Sequence, residues 1–167
     1  MAKKSARSKV TTSATQALQQ LGIEFRLHSY DFDPGDVGIG EQAASALGIE
    51  PECLLKTLIV MIDGERPAIA LTPVVAETRL KALAAALGGK RAVMAKPADA
   101  ERLSGYVKGG ISPFGQRQKL DVVIDQSAQS HETVFVNGGR RGLQIELSPD
   151  DLIKALNADL ADIAGFR

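Results

Sequence analysis

The sequence has no tryptophan, one cysteine and two histidines, and its twenty basic side chains are matched by twenty acidic ones. Each shortage removes a class of explanation. The lone cysteine, Cys53, rules out an internal disulfide and fits a reducing, cytosolic home; it reads as a small packed apolar group. His28 and His131 are the only imidazoles, and neither lies in an HExxH or cysteine–histidine cluster. No G-x-S-x-G elbow surrounds Ser112. Zinc and a serine triad therefore have no motif to stand on, and the expected site holds no metal and no other cofactor. The cancelling charge removes a global field as a source of nucleic-acid affinity, so DNA is not an expected partner and any basic footprint is local. No apolar run approaches the ~20 residues of a membrane span, and a membrane is not an expected partner either.

What remains suits one domain of 167 residues with a sizeable core and no break in composition. Met1 to Ile23 lacks acids and carries Lys3, Lys4, Arg7 and Lys9. It has no apolar stretch for secretion. Residues 1–10 read as a flexible basic tail, and 11–167 as the domain.

Three segments concentrate chemistry. Gly105 to Gln116, GYVKGGISPFGQ, combines Gly109 and Gly110, which open backbone angles closed to other residues, with Pro113, which stiffens the far side and extends Ser112. Such amides either make a tight turn or form an anion-binding nest. Leu54 to Ile62, LLKTLIVMI, reads as a strand buried on both faces, interrupted by Lys56. Its ammonium either snorkels to water near the strand start or points into a cleft. Thr133 to Leu147, TVFVNGGRRGLQIEL, reads as a hairpin whose turn uses Asn137, Gly138 and Gly139. Arg140 and Arg141 beside it are either solvated or suited to a phosphate or carboxylate. With Lys56, Lys108, Arg117 and Lys119 they make the local basic footprint.

Around these segments the pattern predicts a helix from Thr12 or Ser13 to Leu21, a strand from Ile23 to His28, and an acidic turn-forming loop from Asp31 to Gly40 that lacks the ligand set of a calcium loop. It continues with a helix from Glu41 to Leu47, a strand from Pro67 to Leu71, an alanine-rich helix from Glu77 to Leu87 and a strand from Arg91 to Ala95. A helix starting at Pro97, a strand from Asp121 to Asp125, and a final helix capped by Ser148 and running to about Ala164 complete the reading. Hairpins interrupted by helices indicate a mixed α/β domain with a largely antiparallel sheet.

Taken together, IEFRLHSYDFDP (Ile23 to Pro34), ECLLKTL (Glu52 to Leu58), ALTPV (Ala70 to Val74), GYVKGGISPFGQ and GGRRGLQIELSPDDL (Gly138 to Leu152) resemble the YbaK family of free-standing aminoacyl-tRNA deacylases, related to the editing domain of bacterial prolyl-tRNA synthetases. The resemblance implies a curved, barrel-like, largely antiparallel sheet with helices around it. It also implies trans-acting editing in the cytoplasm, cleaving the ester of mischarged aminoacyl-tRNA, with Cys-tRNA(Pro) the first substrate and prolyl-tRNA synthetase a partner. In that reading the Gly109 and Gly110 amides hold the carbonyl or its oxyanion, Lys56 supplies positive charge, and the substrate's own thiol is the nucleophile. Positions matching Tyr30, Ile39, Thr57, Ser112, Asn137, Gly138 and Gln144 bind substrate. The chain departs from the family pattern at three of these: Asn137 stands where serine is usual, Gln144 where aspartate is usual, and Ile39 where an aromatic is common. The alternatives are a water-using deacylase for Ala-tRNA or another small mischarged amino acid, a non-catalytic module binding tRNA or a synthetase, and a generic phosphoesterase, the last weakened by the lack of paired carboxylates.

Overall fold

A computed structural model of the chain describes residues 10–33 and 38–166. The tail expected over 1–10 thus lies, but for Val10, outside the described residues, as does Asp36 of the acidic loop. Thr12 starts the first helix: its Oγ1 accepts from Thr15 N at 3.1 Å while Thr15 Oγ1 accepts from Thr12 N at 2.9 Å. This reciprocal pairing satisfies two of the orphan amides that would otherwise fray a helix start. Helix α1 (Ser13–Gln20) follows and buries Ala14, Thr15 and Leu18. Strand β1 (Arg26–Ser29) is shorter than its alternation implies, and α2 begins earlier than the acidic Glu41, spanning Ile39–Leu47 with Gly38 as cap.

A 3-10 turn (Pro51–Cys53) leads into β2 (Leu55–Ile62), which pairs antiparallel with β3 (Arg66–Pro73) along its whole length, Leu55↔Pro73 to Ile62↔Arg66. Asp63 and Gly64, both at positive φ, close the hairpin. The amides of Arg91 and Lys90 donate to Asp63 and hold its carboxyl below the usual range. Next come β4 (Ala76–Thr78), α3 (Leu80–Ala86), β5 (Ala92–Met94), α4 (Pro97–Ser104), β6 (Asp121–Asp125) and a 3-10 turn (Gln126–Ser130). The chain ends with β7 (Val134–Asn137), β8 (Leu143–Leu147), α5 (Pro149–Leu156), β9 (Asp159–Ala161) and β10 (Ala164–Phe166).

The result is a mixed α/β fold. The strands form three sheets, in the orders β5-β2-β3-β6-β9, β1-β8-β7 and β10-β4, and among the described residues they do not close into one barrel. Pairing is largely antiparallel, with β3–β6 and β6–β9 parallel. A parallel bridge from Leu54 to Phe135 joins the start of β2 to β7, so the two larger sheets meet there. The main core fills the space between these sheets with side chains such as Leu55, Ile59, Leu71, Val136 and Ile145, closed by Leu18 of α1 and Leu152 of α5. Leu83 and Ala84 of α3 cover the opposite face of the five-stranded sheet against Val60 and Val123. A third, small cluster seats Ala43 and Ala44 of α2 on Leu54 and Phe135.

Two helix expectations are corrected. Residues 76–78 pair with β10, which delays the alanine-rich helix to Leu80. The last helix starts as its signals demand, with Ser148 Oγ accepting from Asp151 N at 3.1 Å, but it stops at Leu156 because Asn157 adopts the left-handed conformation at φ 49°. Residues 159–161 then join the sheet edge beside β6. The buried Asp125 organises this end: Oδ1 accepts from Ile163 N and Ala164 N, both at 3.0 Å, and Oδ2 accepts from Ser127 N and Ser127 Oγ. Asp125→Ala would leave those amides buried without partners. It is expected to lower unfolding stability by about 3 kcal/mol, measured as a fall in the urea midpoint at unchanged slope; a shift below about 1 kcal/mol would show that this carboxylate does not hold the C-terminal strands.

Candidate active site

Strand β2 supplies Lys56 and Thr57 where it leaves the bridge to β7. Lys56 is half-buried opposite Thr72 of β3, and its Nζ donates to Ala76 O at 2.7 Å. The ammonium therefore neither reaches a strand end nor stands bare; it crosses from β2 to the carbonyl at the start of β4. Thr57 and Lys56 both line a cavity of about 420 Å³. Its walls are β2, the first turn of α2 with Ile39, the start of α4, the loop after α4 at Gly109, and Asn137 and Gln144 of the hairpin. Most of this lining is apolar, which suits a small side chain held by a few polar groups.

Among the described residues, two of those polar groups lack partners. Thr57 Oγ1 and Gln144 Oε1 are buried without a hydrogen bond, and buried polar atoms in that state are uncommon unless a ligand or water completes them. Gln144 sits on β8 between His28 of β1 and Asn137 of β7. Beneath it, Tyr30 packs in the small cluster under α2. Burial raises the Tyr30 phenol above its ordinary range; the neighbouring Gln144 amide opposes that rise, yet Tyr30 Oη completes no hydrogen bond of good geometry.

The glycine loop is fastened to the hairpin. Asn137 Nδ2 donates to Gly109 O and to Arg140 O, each at 3.2 Å, while its Oδ1 accepts from Gly139 N at 2.7 Å. Arg141 Nε donates to Lys108 O at 2.9 Å, and its guanidinium lies 5.4 Å over the Phe32 ring. Glu101 Oε2 accepts from Lys108 N at 2.8 Å on the other side. Gly109 has φ 86°, and a Cβ there would stand 2.8 Å from Ile39 Cδ1 and 3.0 Å from Arg141 Nε. Only glycine combines that conformation with that proximity. Among the described residues its N–H makes no hydrogen bond, and the residue lines the cavity.

The expected pair of amides is thereby reduced to one. The Gly110 N–H is committed to Val107 O at 2.9 Å, and Gly110 lies against the Arg140 backbone outside the cavity. Ser112 is also removed from the cavity: it is fully buried, its Oγ accepting from Phe114 N at 3.3 Å to shape the loop. Gly138 serves the hairpin turn, with N–H to Leu143 O and its carbonyl accepting from Thr12 Oγ1. Of the basic footprint, Arg141 is occupied in the clamp and Lys108 lines the cavity. Cys53 lies apart, its Sγ 3.3 Å from His131 Nδ1, and burial with Glu50, Glu52 and Glu146 pushes its thiol up. A thiol so held is a poor nucleophile.

A family model described as an aminoacyl-tRNA editing domain matches residues 36–155, which span every wall of this cavity. The chain belongs to that family. Within the aminoacyl-tRNA editing domain family it is 32% identical over 163 residues to a candidate Cys-tRNA(Pro)/Cys-tRNA(Cys) deacylase, EbsC, of Enterococcus faecalis, covering 98% of each chain. It is 26% identical over 149 residues to the multifunctional Ser/Thr-tRNA deacylase ProXp-y of Escherichia coli, covering 87% of each. The fold matches a crystal structure of a candidate trans-editing enzyme for prolyl-tRNA synthetase with a TM-score of 0.81 at 22% identity, over 94% of this chain and 99% of that one. Editing-domain membership fixes the class of chemistry, cleavage of aminoacyl-tRNA esters, and makes this cavity the candidate site for it.

Proposed function

We propose that the protein edits in trans, removing cysteine mischarged on the proline acceptor, with prolyl-tRNA synthetase as the functional partner. The observation that supports this reading is the small, mainly apolar cavity with Lys56 on one wall and the uncommitted Gly109 amide on another. An ester carbonyl placed between them meets a donor and a positive charge as its oxygen becomes negative, the electrostatic contribution that dominates acyl transfer. The substrate thiol attacks the carbonyl carbon; a C–S bond forms, the ester C–O bond breaks, and the thiol proton ends on the released ribose oxygen. Water later opens the thiolactone.

A second reading has its own support. The unpartnered Thr57 Oγ1 and Gln144 Oε1 are suited to a hydroxyl-bearing side chain, and a relative is named a Ser/Thr-tRNA deacylase. Deacylation of one tRNA body charged in turn with cysteine, serine, threonine, alanine and proline separates the two. Cysteine should leave fastest and proline should stay; binding of every species with turnover of none would mean a recognition module instead of an enzyme.

Gly109→Ala should reduce turnover about a hundredfold, because moving an amide by an ångström disrupts near-attack geometry. Its folding cost should exceed the ~1–2 kcal/mol of a left-handed alanine, because the new Cβ also crowds Ile39 Cδ1 and Arg141 Nε. Single-turnover rates on the best substrate, read beside a urea curve, test this. An unchanged rate would take the Gly109 amide out of the site.

A further inference from the structure

Thr12, the cap of α1, lies outside the segments that carry the family resemblance and does not line the cavity. Its hydroxyl has two duties. The oxygen accepts from Thr15 N at 3.1 Å, which caps the helix, and the proton goes to Gly138 O in the hairpin turn at 2.6 Å. A hydroxyl has one proton to give, and the Gly138 carbonyl takes it in preference to the Thr15 hydroxyl at 3.5 Å, which directs its own proton to Thr12 O at 3.0 Å.

The bond to Gly138 fixes a peptide plane. Gly138 O and Gly139 N belong to one planar unit, flanked by two glycines that leave it free to turn, and Gly139 N is the donor that holds Asn137 Oδ1 at 2.7 Å. Asn137 Nδ2 in turn donates to Gly109 O at 3.2 Å. The corner is closely packed as well: a Cβ on Gly139 would stand 3.0 Å from Thr12 Cβ and 3.1 Å from Tyr106 Cε1, and one on Gly115 would meet the Ser13 carbonyl. The start of α1 therefore abuts the hairpin turn and both ends of the glycine loop.

We infer that Thr12 is a positioning residue for the editing reaction, holding Gly109 in place through the Gly138–Gly139 peptide and Asn137. The inference rests on the proposed role of the Gly109 amide. Capping alone gives the Thr12 proton no reason to cross to the hairpin, since a side chain that only accepts caps a helix equally well.

Thr12→Asp separates the two duties, because a carboxylate caps a helix but donates to no carbonyl. Thr12→Val removes both and Thr12→Ser keeps both. Single-turnover rates on the fastest-cleaved tRNA of the charged series are read beside urea curves and amide NMR of the full chain. Thr12→Asp and Thr12→Val should each lose about tenfold or more in the saturated rate, short of the hundredfold of moving the amide itself, with KM within about threefold. Thr12→Val alone should lose most of the stability that the cap supplies, and Thr12→Ser should recover the rate. The Gly109 and Gly139 amide resonances should move in Thr12→Asp and return in Thr12→Ser. A wild-type rate in Thr12→Asp, rates that follow the urea midpoint through the series, or an unmoved Gly109 resonance in Thr12→Asp would each reduce Thr12 to a helix cap and overturn the assignment. A wild-type protein that deacylates no mischarged tRNA would defeat the functional reading, while the resonances still decide, without turnover, whether Thr12 places Gly109.

Discussion

Replacing Lys56 by alanine is expected to lower deacylation by on the order of a hundred- to a thousandfold, the effect of removing one preorganised electrostatic group from an acyl-transfer site. The structure gives this lysine a second duty, its 2.7 Å bond to Ala76 O between β2 and β4. Loss of one such bond to a charged group costs about 1.5–3 kcal/mol, a destabilisation that could mimic a catalytic defect if rates were taken near the unfolding transition. The measurement is therefore a single-turnover rate well below that transition, beside a urea curve. Lys56→Met keeps the apolar stem and removes only the ammonium, so it should preserve more stability than alanine and no more activity. Lys56→Arg should rescue poorly, since a planar guanidinium cannot replace a compact ammonium between a carbonyl and a developing oxyanion. Wild-type rates in a folded Lys56→Met protein would remove the lysine from the chemistry.

The second large effect concerns sulfur. Cysteinyl-tRNA should be cleaved more than about two hundredfold faster than seryl-tRNA on the same tRNA body, which is beyond what shape can provide between near-isosteres, roughly 1–3 kcal/mol. The two side chains share the same intramolecular placement, so that margin comes from sulfur being the far better nucleophile, even though its ring has only four members. Reaction in heavy-oxygen water with early trapping should show thiolactone before free cysteine. Direct appearance of labelled cysteine, or serine and cysteine esters cleaved at similar rates, would reject thiol assistance and favour water held near Thr57 and Gln144.

The elements most legible in the sequence were those with local signals. The apolar run of β2, the Asp63-Gly64 turn and the Ser148 cap each act within a few residues, and all stand as read. The three-residue strands β4, β9 and β10 carry no period of their own and exist through partners far along the chain, so a helical pattern overran two of them. The hold of Asp125 on the C-terminal strands gave no signal either, because the donors that make it lie at Ile163 and Ala164. At the site, the resemblance brought Lys56, Thr57, Ile39, Gly109, Asn137 and Gln144 to one cavity. It did not disclose that Asn137 is consumed in holding the glycine loop, or that Gly110 and Ser112 serve the loop's shape. Those are properties of the space between elements.

The bridge from Leu54 to Phe135 is the seam along which the site is assembled. Lys56 and Thr57 ride on the five-stranded sheet; Asn137 and Gln144 belong to the other, and the glycine loop is tied to that side through the clamp. Under the proposed reading, the charge of Lys56 and the amide of Gln144 thus sit on different sheets that touch at one short join. A substitution at Gln144 should then change which amino acid is accepted while leaving the lysine in place, so that a client could change while the reaction is kept.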